Sequence, residues 1–343
     1  MENITIDQKD YKILLDLLKE KTGLNFEYYR KNFIEKRIKS RMIRVNCWTL
    51  KDYYKYLFAD EEEVRKFLKG FTINYTFFFR DYDVFETFQD MFLDGLNVNK
   101  GEIQSHIRPS PAKIAKFRSK QNQAKLQMKL AKESSKPEKS YVDIFIFLDR
   151  LAFYRKLKKP RNEANTIKIW SCPCATGEEP YSIAMILNNL EQQIPNFPRY
   201  KIVASDIAIE AIEKANKGIY SDDSMKEISD YYERKYFIKK KVNFGHVNRI
   251  SEDIKKKVEF IQEDVTKGHA YHNQKYDIIF CRYLFIYFNQ ENRHKFLKII
   301  DKHLKENGLL ILGKTETLFG SYGSFTQIDS RNHIYIKSRS KLF

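Results

Sequence analysis

The chain has 343 residues, of which 42% are hydrophobic and 15% aromatic, so it can form one large or two medium domains and is not intrinsically disordered. It contains no run of about 18 apolar residues, and its first residues do not resemble a secretory signal, so we expect a cytoplasmic protein without membrane insertion. The formal net charge of +17 suggests an acidic partner, although a lysine-rich genome composition explains it equally well.

The first part of the chain, residues 1–90, is predicted to be a small helical domain, because residues 5–90 contain little glycine or proline. Apolar residues in its first helix recur on one face: Tyr11, Ile13, Leu14, Leu17 and Leu18. The segment KNFIEKRIKSRMIR at 31–44 is predicted to be an amphipathic helix with a basic face. Its cations are Lys31, Lys36, Arg37, Lys39, Arg41 and Arg44, opposite Phe33, Ile34, Ile38 and Met42. This face is either an ordinary solvated surface or a docking surface for an acidic helix.

The segment FTINYTFFFRDYDVF at 71–85 places Asn74, Thr76 and Arg80 among five phenylalanines. We expect Arg80 to be buried, and a buried arginine needs an anion or several acceptors. Residues 91–165 are predicted to be an insertion or linker, because 100–139 is rich in lysine and has no sustained apolar periodicity.

Residues 166–343 alternate between strand and helix patterns, which predicts an α/β fold with a doubly wound, mostly parallel sheet. The last helix is predicted to run through QENRHKFLKIIDKHLKENG and to stop at Gly308. A strand, LLILGKTE, and a hairpin across Asp329–Asn332 follow, so an antiparallel strand should close the sheet. Many methyltransferases that use S-adenosylmethionine have this arrangement. A small antiparallel subdomain is predicted at about 236–260, where two short alternating stretches flank Gly245.

The first strand, turn and helix, IKIWSCPCATGEEPYSIAMIL, have the form of a ligand-binding unit. The turn contains one glycine, Gly177, so neither GxGxxG nor GxxxxGK[ST] is present. Glu178 and Glu179 at the start of the helix would repel a pyrophosphate and suit a cationic or hydroxyl-bearing ligand. We expect Gly177 to let the ligand approach the backbone.

Polar residues follow each of the four predicted parallel strands, and ligands of open α/β sheets bind beyond these strand ends. These residues are Glu179, Asp206, Glu263, Asp264, Arg282 and Tyr283. A single aspartate such as Asp206 is more often a helix cap, but the set of strand ends favours a ligand site. The four cysteines form no CxxC pair, so we expect reduced thiols and no metal site.

Six spaced motifs together resemble the chemotaxis receptor methyltransferases of the CheR type: TINYTFFFRD, IWSCPCATGEEPYSIAM, ASDI, NKGIY, CRYLFIYF and LILGKTE. The resemblance implies an enzyme that moves a methyl group from S-adenosylmethionine to glutamate side chains on the cytoplasmic helical domain of chemoreceptors. The products would be glutamate methyl esters and S-adenosylhomocysteine, and the enzyme would be a monomer. The antiparallel subdomain resembles the β-subdomain of that family.

The resemblance also implies cofactor contacts, which carry over onto Asn74, Thr76, Arg80, Glu179, Asp206, Asp264, Val265, Arg282 and Tyr283. Asp264 and Tyr283 depart from the family, which commonly has asparagine at both positions. Further departures are Tyr75, Ala208 and Lys314, where glutamate, an acid and histidine are frequent.

A glutamate acceptor is already an anion at neutral pH, so methyl transfer needs no general base. Cationic and hydroxyl groups must position its carboxylate, and the candidates are Arg80, Arg282 and Tyr287. Two alternatives remain at this stage: a nucleic-acid methyltransferase, suggested by the charge, and a non-catalytic adaptor that binds the cofactor, suggested by the departures. The first lacks an NPPY or DPPY tetrapeptide after the fourth strand, and we expect no nucleic-acid partner.

Overall fold

The computed structural model describes residues 6–71, 75–100, 103, 106–113, 148–242, 245–267, 274–318 and 324–338. Two compact units are present. One comprises Met1–Asn74, Thr266–Gly268 and Leu284–Ile299, and the other comprises Tyr75–Val265, His269–Tyr283 and Ile300–Phe343. Among the described residues, no helix has the length and apolar character needed to cross a membrane.

The described part of the first unit contains the helices α1 Gln8–Thr22, α2 Lys31–Arg44, α3 Leu50–Ala59 and α4 Glu61–Phe71, together with most of the later helix Gln290–His303. Its α1 is capped at both ends: the Asp7 carboxylate accepts the Lys9 and Asp10 amides, and Gly23 adopts φ 71° after the last turn. The predicted amphipathic α2 is confirmed, with Ile34, Ile38 and Met42 buried. In α1 the structure corrects one residue, because Ile13 is exposed.

The second unit contains two sheets. The seven-stranded sheet has the order β6-β2-β1-β7-β8-β10-β9, and the three-stranded sheet has the order β3-β5-β4. The strands are β1 Ile167–Ser171, β2 Tyr200–Asp206, β3 Ile219–Tyr220, β4 Phe237–Val242, β5 Gly245–Ile250, β6 Val258–Gln262, β7 Tyr276–Cys281, β8 Leu304–Leu312, β9 Phe325–Asp329 and β10 Ile334–Lys337. Neighbouring strands are parallel from β6 through β2, β1 and β7 to β8. Strand β10 is antiparallel to both of its neighbours, β8 and β9, as the sequence predicts.

The remaining helices are α5 Tyr82–Gly95, α6 Tyr154–Leu157, α7 Glu178–Gln193, α8 Ile209–Lys217, α9 Asp230–Tyr236, α10 Glu252–Lys255 and α11 Gln290–His303. The prediction for α11 is wrong at its end. The helix stops at His303, and the next residue, Leu304, begins β8 and pairs with Tyr276 of β7. Gly245 is likewise the first residue of β5 rather than a separator before it.

The lysine-rich insertion or linker was predicted at residues 91–165, and its central part, residues 114–147, lies outside the described residues. On either side of that part, Ile103, Ile107, Leu151 and Phe153 are buried in the core of the second unit. The described flanks of the segment therefore contribute to this core.

A buried carboxylate ties together the amino ends of the central strands. Asp277 is fully buried in β7 and accepts hydrogen bonds from Lys156 Nζ and Lys305 Nζ, each at 2.8 Å, and from the Lys168 amide. Burial lowers the pKa of Lys156 to about 8, against the opposing effect of Asp277. The buried charge is thus compensated within the protein, as a buried ion must be.

Candidate functional site

The carboxyl ends of β6, β2, β1 and β7 lie side by side in the sheet. Their last residues and the loops that follow therefore share one edge, where open α/β sheets bind ligands. The structure brings Glu179, Asp206, Glu263, Arg282 and Tyr283 to this edge.

Asp206 holds the turn after β1. Its Oδ2 accepts the Ala175 amide at 2.8 Å and its Oδ1 accepts the Ala208 amide at 3.0 Å. The Ile207 amide contacts this carboxylate as well, and a carboxylate has about four acceptor positions, so one remains for a ligand. Burial raises the pKa of Asp206, and the backbone amides oppose that rise. Asp206 thus fixes the loop while remaining able to accept a further hydrogen bond.

Gly177 has a different role from the one predicted. Its φ is +93°, and a Cβ there would lie 2.8 Å from Ala215 Cβ and 3.1 Å from Phe260 Cζ. The space beside it is filled by the protein's own side chains, not by an approaching ligand. Glycine is needed here for the left-handed backbone and for the packing of the turn.

The two glutamates at the start of α7 differ in their surroundings and hydrogen-bond partners. Glu178 faces inward and accepts hydrogen bonds from Thr176 Oγ1 at 2.6 Å and Ser224 Oγ at 3.0 Å. Glu179 faces the sheet edge and accepts from Ser171 Oγ at 2.7 Å and from Arg282 Nη1 at 3.1 Å. Burial raises the pKa of both carboxyls. Of the two, Glu179 is the one positioned to contact a ligand.

Arg282, directly after β7, is the buried arginine of the site. Only 4% of the residue is exposed. Its Nη1 pairs with Glu179, while Nη2 donates to Asp81 Oδ2 at 2.5 Å and to the Arg80 carbonyl at 2.7 Å. Its Nε is buried and makes no hydrogen bond within the described residues. Two carboxylates therefore compensate its charge.

Arg80 lies in a linker that is held firmly in place. The Phe78 amide donates to the Ser224 carbonyl at 2.9 Å, and the Phe79 amide donates to Ser182 Oγ at 3.0 Å. Phe79 and Asp81 adopt φ of 56° and 60°, a strained conformation for such residues. Strain of this kind often marks a functional site.

The expectation that Arg80 is buried is wrong, because it is only half-buried. Its guanidinium lies 3.5 Å from the centre of the Tyr283 ring, and its Nη1 donates to the Tyr75 carbonyl at 2.8 Å. Within the described part of the chain, Arg80 forms no ion pair with a carboxylate. Its charge remains available to an anion.

Tyr283 forms the platform under Arg80. Its amide donates to Glu316 Oε2 at 2.6 Å, and Glu316 also accepts the Gly313 amide at 2.9 Å. The Tyr283 hydroxyl donates to Asp81, and burial raises the pKa of Tyr283 to about 12. The backbone at Tyr283 is left-handed, with φ 63°. The hydrogen bonds to Asp81 and Glu316 compensate for that strain.

The loop after β6 contributes Glu263, Asp264 and Val265. The Glu263 amide donates to the Asp206 carbonyl at 2.9 Å, which joins the loop to β2. Its Oε1 is buried and makes no hydrogen bond within the described residues. Burial, with the neighbouring Asp264, raises the pKa of Glu263 to about 7. An orphaned buried acceptor at a ligand edge fits a ligand that carries hydroxyl or amino donors.

The other predicted site residues lie as follows. Thr76 is half-buried in the linker, and Asn74 lies outside the described residues. Tyr287 belongs to the first unit, where its ring lies 4.9 Å from Phe33 and its carbonyl accepts the Arg30 amide at 2.8 Å. There it lines a cavity of about 540 Å³ with Arg30, Lys31 and Lys36.

Asp81 and Glu316 were not among the predicted site residues, whereas Glu263 was one of the polar residues predicted at the strand ends. Asp81 directly follows Arg80, and Glu316 is the last residue of the GKTE motif. Their positions beside predicted residues and motifs were the signal that could have identified them. The four cysteines are free and buried. Among the described residues, no group of three or more histidine, cysteine, aspartate or glutamate side chains could hold a metal ion.

The carboxylates at the strand ends can accept hydrogen bonds from the hydroxyl and amino groups of S-adenosylmethionine. The Arg80 cation beside them can bind its carboxylate. With the sheet order, these groups define a methyltransferase that uses this cofactor. The family model "CheR methyltransferase, SAM binding domain" matches residues 144–334, and "CheR methyltransferase, all-alpha domain" matches residues 9–72. The chain belongs to the CheR methyltransferase family, which confirms the resemblance noted in its sequence.

Two curated relatives match nearly the whole chain, and a third matches about half of it. Chemotaxis protein methyltransferase 2 of Vibrio cholerae is 25% identical over 93% of this chain and 88% of its own length. A chemotaxis protein methyltransferase of Listeria innocua is 23% identical over 96% of this chain and 98% of its own. That of Borreliella burgdorferi is 34% identical over 52% of this chain and 62% of its own.

Proposed function

We propose that the protein transfers the methyl group of S-adenosylmethionine to glutamate side chains on the cytoplasmic helical domain of chemoreceptors, forming glutamate methyl esters in chemotaxis adaptation. Membership of the CheR methyltransferase family and the names of the relatives support this acceptor class. The observation that carries the proposal is Arg80, a half-buried cation at the ligand edge with no carboxylate partner within the described residues.

The chemistry asks little of the protein beyond positioning. S-adenosylmethionine supplies a methyl group on a positively charged sulfur. A glutamate acceptor is ionised at neutral pH, so an oxygen of its carboxylate forms the new bond to the methyl carbon as the carbon–sulfur bond breaks. No proton has to be removed. This fits a site whose acidic groups are arranged as hydrogen-bond acceptors rather than as a base beside a nucleophile.

We assign the residues accordingly. Glu179 and Asp206 accept hydrogen bonds from the amino and hydroxyl groups of the cofactor, and Asp264 and Val265 flank its adenine. Thr76 and Asn74 contribute from the linker. Arg80 binds a carboxylate of the reactants. Arg282, whose charge is already compensated by Glu179 and Asp81, is a positioning residue that holds the Arg80 backbone.

The amino-terminal part of the basic face of α2, at Lys31 and Lys36, is the proposed docking surface for the receptor. Arg30, Lys31 and Lys36 surround the cavity that Tyr287 lines, so an acidic receptor segment entering there would meet three cations and a hydroxyl. Tyr287 is then a candidate to position the acceptor carboxylate. The non-catalytic adaptor and the nucleic-acid methyltransferase have no comparable support from the family match.

The test uses the full-length protein with S-adenosylmethionine labelled in the methyl group, together with membranes that carry chemoreceptors. Label should appear on the receptor and be released by mild base as a volatile product, as a methyl ester requires. A receptor with its methylated glutamates replaced by alanine should take up none. Label on added RNA, or base-stable label on the receptor, would contradict the proposal. Cofactor binding without transfer to any receptor would favour the adaptor.

A further inference from the structure

A second cavity of the first unit lies between α2 and α4 and has a volume of about 370 Å³. This size is typical of small-molecule sites. It is lined by Arg37, Ser40, Arg41, Arg44, Lys66, Lys69 and Gly70, and none of these residues lines the cavity at Tyr287. Five cations from two helices therefore converge on one concave volume.

One of the five cations is compensated by a carboxylate. Arg41 donates through Nε and Nη2 to Glu63, at 2.9 and 2.5 Å, and the buried Tyr53 hydroxyl donates to the same carboxylate at 2.9 Å. In the described part of the chain, Arg37, Arg44, Lys66 and Lys69 form no ion pair. About four positive charges around the cavity are left without a counter-ion from the protein.

Helix dipoles account for some of these cations but not for all. Arg41 and Arg44 lie in the last turn of α2 and Lys69 lies in the last turn of α4, where cations are favourable. Arg37 and Lys66 lie about a turn earlier and gain little from the dipole. The Nε of Arg37 is moreover buried and makes no hydrogen bond within the described residues.

The charge of the cavity also favours a compact, multiply charged ligand. A Cβ on Gly70 would have Arg41 Cδ as its nearest neighbour, at 4.0 Å, so this part of the wall is open. Guanidinium groups match phosphate oxygens in paired hydrogen bonds. A di- or triphosphate group concentrates about three to five negative charges, which matches the number of unpaired cations around the cavity. Carboxylates on a helix face would instead be spread along a line about 5–6 Å apart.

We propose that the cavity between α2 and α4 is a binding site for a di- or triphosphate group. This site is distinct from the cofactor site, and the inference does not depend on which protein the enzyme methylates. Arg37, Arg44, Lys66 and Lys69 contact the phosphate oxygens, and Ser40 contributes a hydroxyl.

The test is calorimetric titration of the full-length protein with inorganic tripolyphosphate in 150 mM NaCl. This probe has no nucleoside and so cannot enter the cofactor site through an adenosine group. We expect saturable binding of one tripolyphosphate per chain. Lys66→Ala with Lys69→Ala should weaken it at least tenfold. Arg37→Lys, which keeps the charge but loses the guanidinium fork, should weaken it at least threefold.

The matched control is Lys51→Ala with Lys55→Ala on α3, which removes the same charge from exposed positions outside the cavity. Its affinity should stay within twofold of the original protein. Three outcomes would overturn the inference. The first is that tripolyphosphate shows no saturable binding, the second is that the two double variants lose affinity equally, and the third is that the variant Lys66→Ala with Lys69→Ala binds tripolyphosphate as tightly as the original protein. Binding of a poly-glutamate peptide at the cavity without tripolyphosphate binding would assign it to a protein partner instead.

Discussion

Arg80 and Arg282 lie at the same edge of the sheet but in different surroundings. Arg282 is buried between two carboxylates, and its Nη2 also holds the Arg80 carbonyl. Arg80 is half-buried and stacked on Tyr283. Removing Arg282 would leave the largely buried Glu179 and the partly buried Asp81 without their cation, which is strongly destabilising. Arg80 can be removed with less effect on the fold and is the better residue for testing catalysis.

We expect Arg80→Ala to reduce cofactor binding and methyl transfer while leaving the fold intact. A charged hydrogen bond contributes about 1.5–3 kcal/mol, so affinity for S-adenosylhomocysteine should fall roughly 10- to 150-fold. Calorimetry and single-turnover transfer measure the two effects. Lys226→Ala is the control, because Lys226 contacts Tyr75 in the same linker without touching Arg80. Normal turnover in Arg80→Ala would remove this residue from the mechanism.

The difference between the two arginines shows what residue patterns predict and what they miss. Five phenylalanines around Arg80 indicate burial, yet the aromatic rings pack inward and the guanidinium lies on the outer face of Tyr283. Arg282 follows a fully buried strand and becomes buried with it. Its partners Asp81 and Glu179 are far away in sequence, so no local pattern could have paired them. Whether either arginine contacts the reactants stays a prediction.

At the scale of elements, the turn between β1 and α7 depends on one glycine. Gly177→Ala forces an alanine into φ +93° and places its Cβ 2.8 Å from Ala215 Cβ. We expect it to lower the free energy of unfolding by about 1–3 kcal/mol, through backbone strain and overpacking. Chemical denaturation followed by circular dichroism measures this change.

Gly70→Ala is the matched control for that substitution. Gly70 lies inside α4, and its Cβ would meet nothing closer than 4.0 Å. Alanine there should raise the free energy of unfolding by about 0.5–1 kcal/mol, since it favours the helix. If Gly177→Ala were neutral or stabilising as well, the turn would not be under the constraint that we describe.

The strands and helices of the second unit follow from hydrophobic periodicity, but one boundary does not. The polar run Lys305–Asn307 looks like the end of a helix, so α11 was expected to reach Gly308. Instead Leu304 pairs with Tyr276, and a register shift between Tyr276 and Ile278 accommodates the extra residues, with Asn307 at φ 58°. Pairing with a buried neighbouring strand decides this boundary, and a single segment does not reveal it.

At the scale of the whole molecule, the class of the sheet was predictable and the electrostatics were not. Alternation of strand and helix and the final hairpin predict a mostly parallel sheet with an antiparallel strand at its end, and the structure has such a sheet. The charge of +17 predicts only an acidic partner. The structure divides the basic surface of the first unit into two cavities, one at Tyr287 and one between α2 and α4. That division depends on side chains from separate helices.

Protonation, folding and cofactor binding are linked at Glu263, whose pKa is raised from 4.5 to about 7. The ligand-free folded protein keeps a proton there that the unfolded chain releases. The contribution of this group to the free energy of unfolding is therefore full below pH 4.5 and is lost as the pH rises to about 7. A cofactor that donates hydrogen bonds to the carboxylate reverses the preference, because it favours the ionised form.

We therefore expect affinity for S-adenosylhomocysteine to rise with pH up to about 7 and then to level off, with affinity at pH 6 roughly tenfold lower than at pH 8. Glu263→Gln should flatten this profile, since the amide does not titrate. Glu259→Gln is the control, because Glu259 lies on β6, the strand that precedes Glu263, and its carboxylate pairs with Lys201. Calorimetric titrations between pH 5.5 and 8.5 give all three profiles. An unchanged profile in Glu263→Gln would mean that this carboxylate does not face the cofactor, and its buried oxygen would then need another partner.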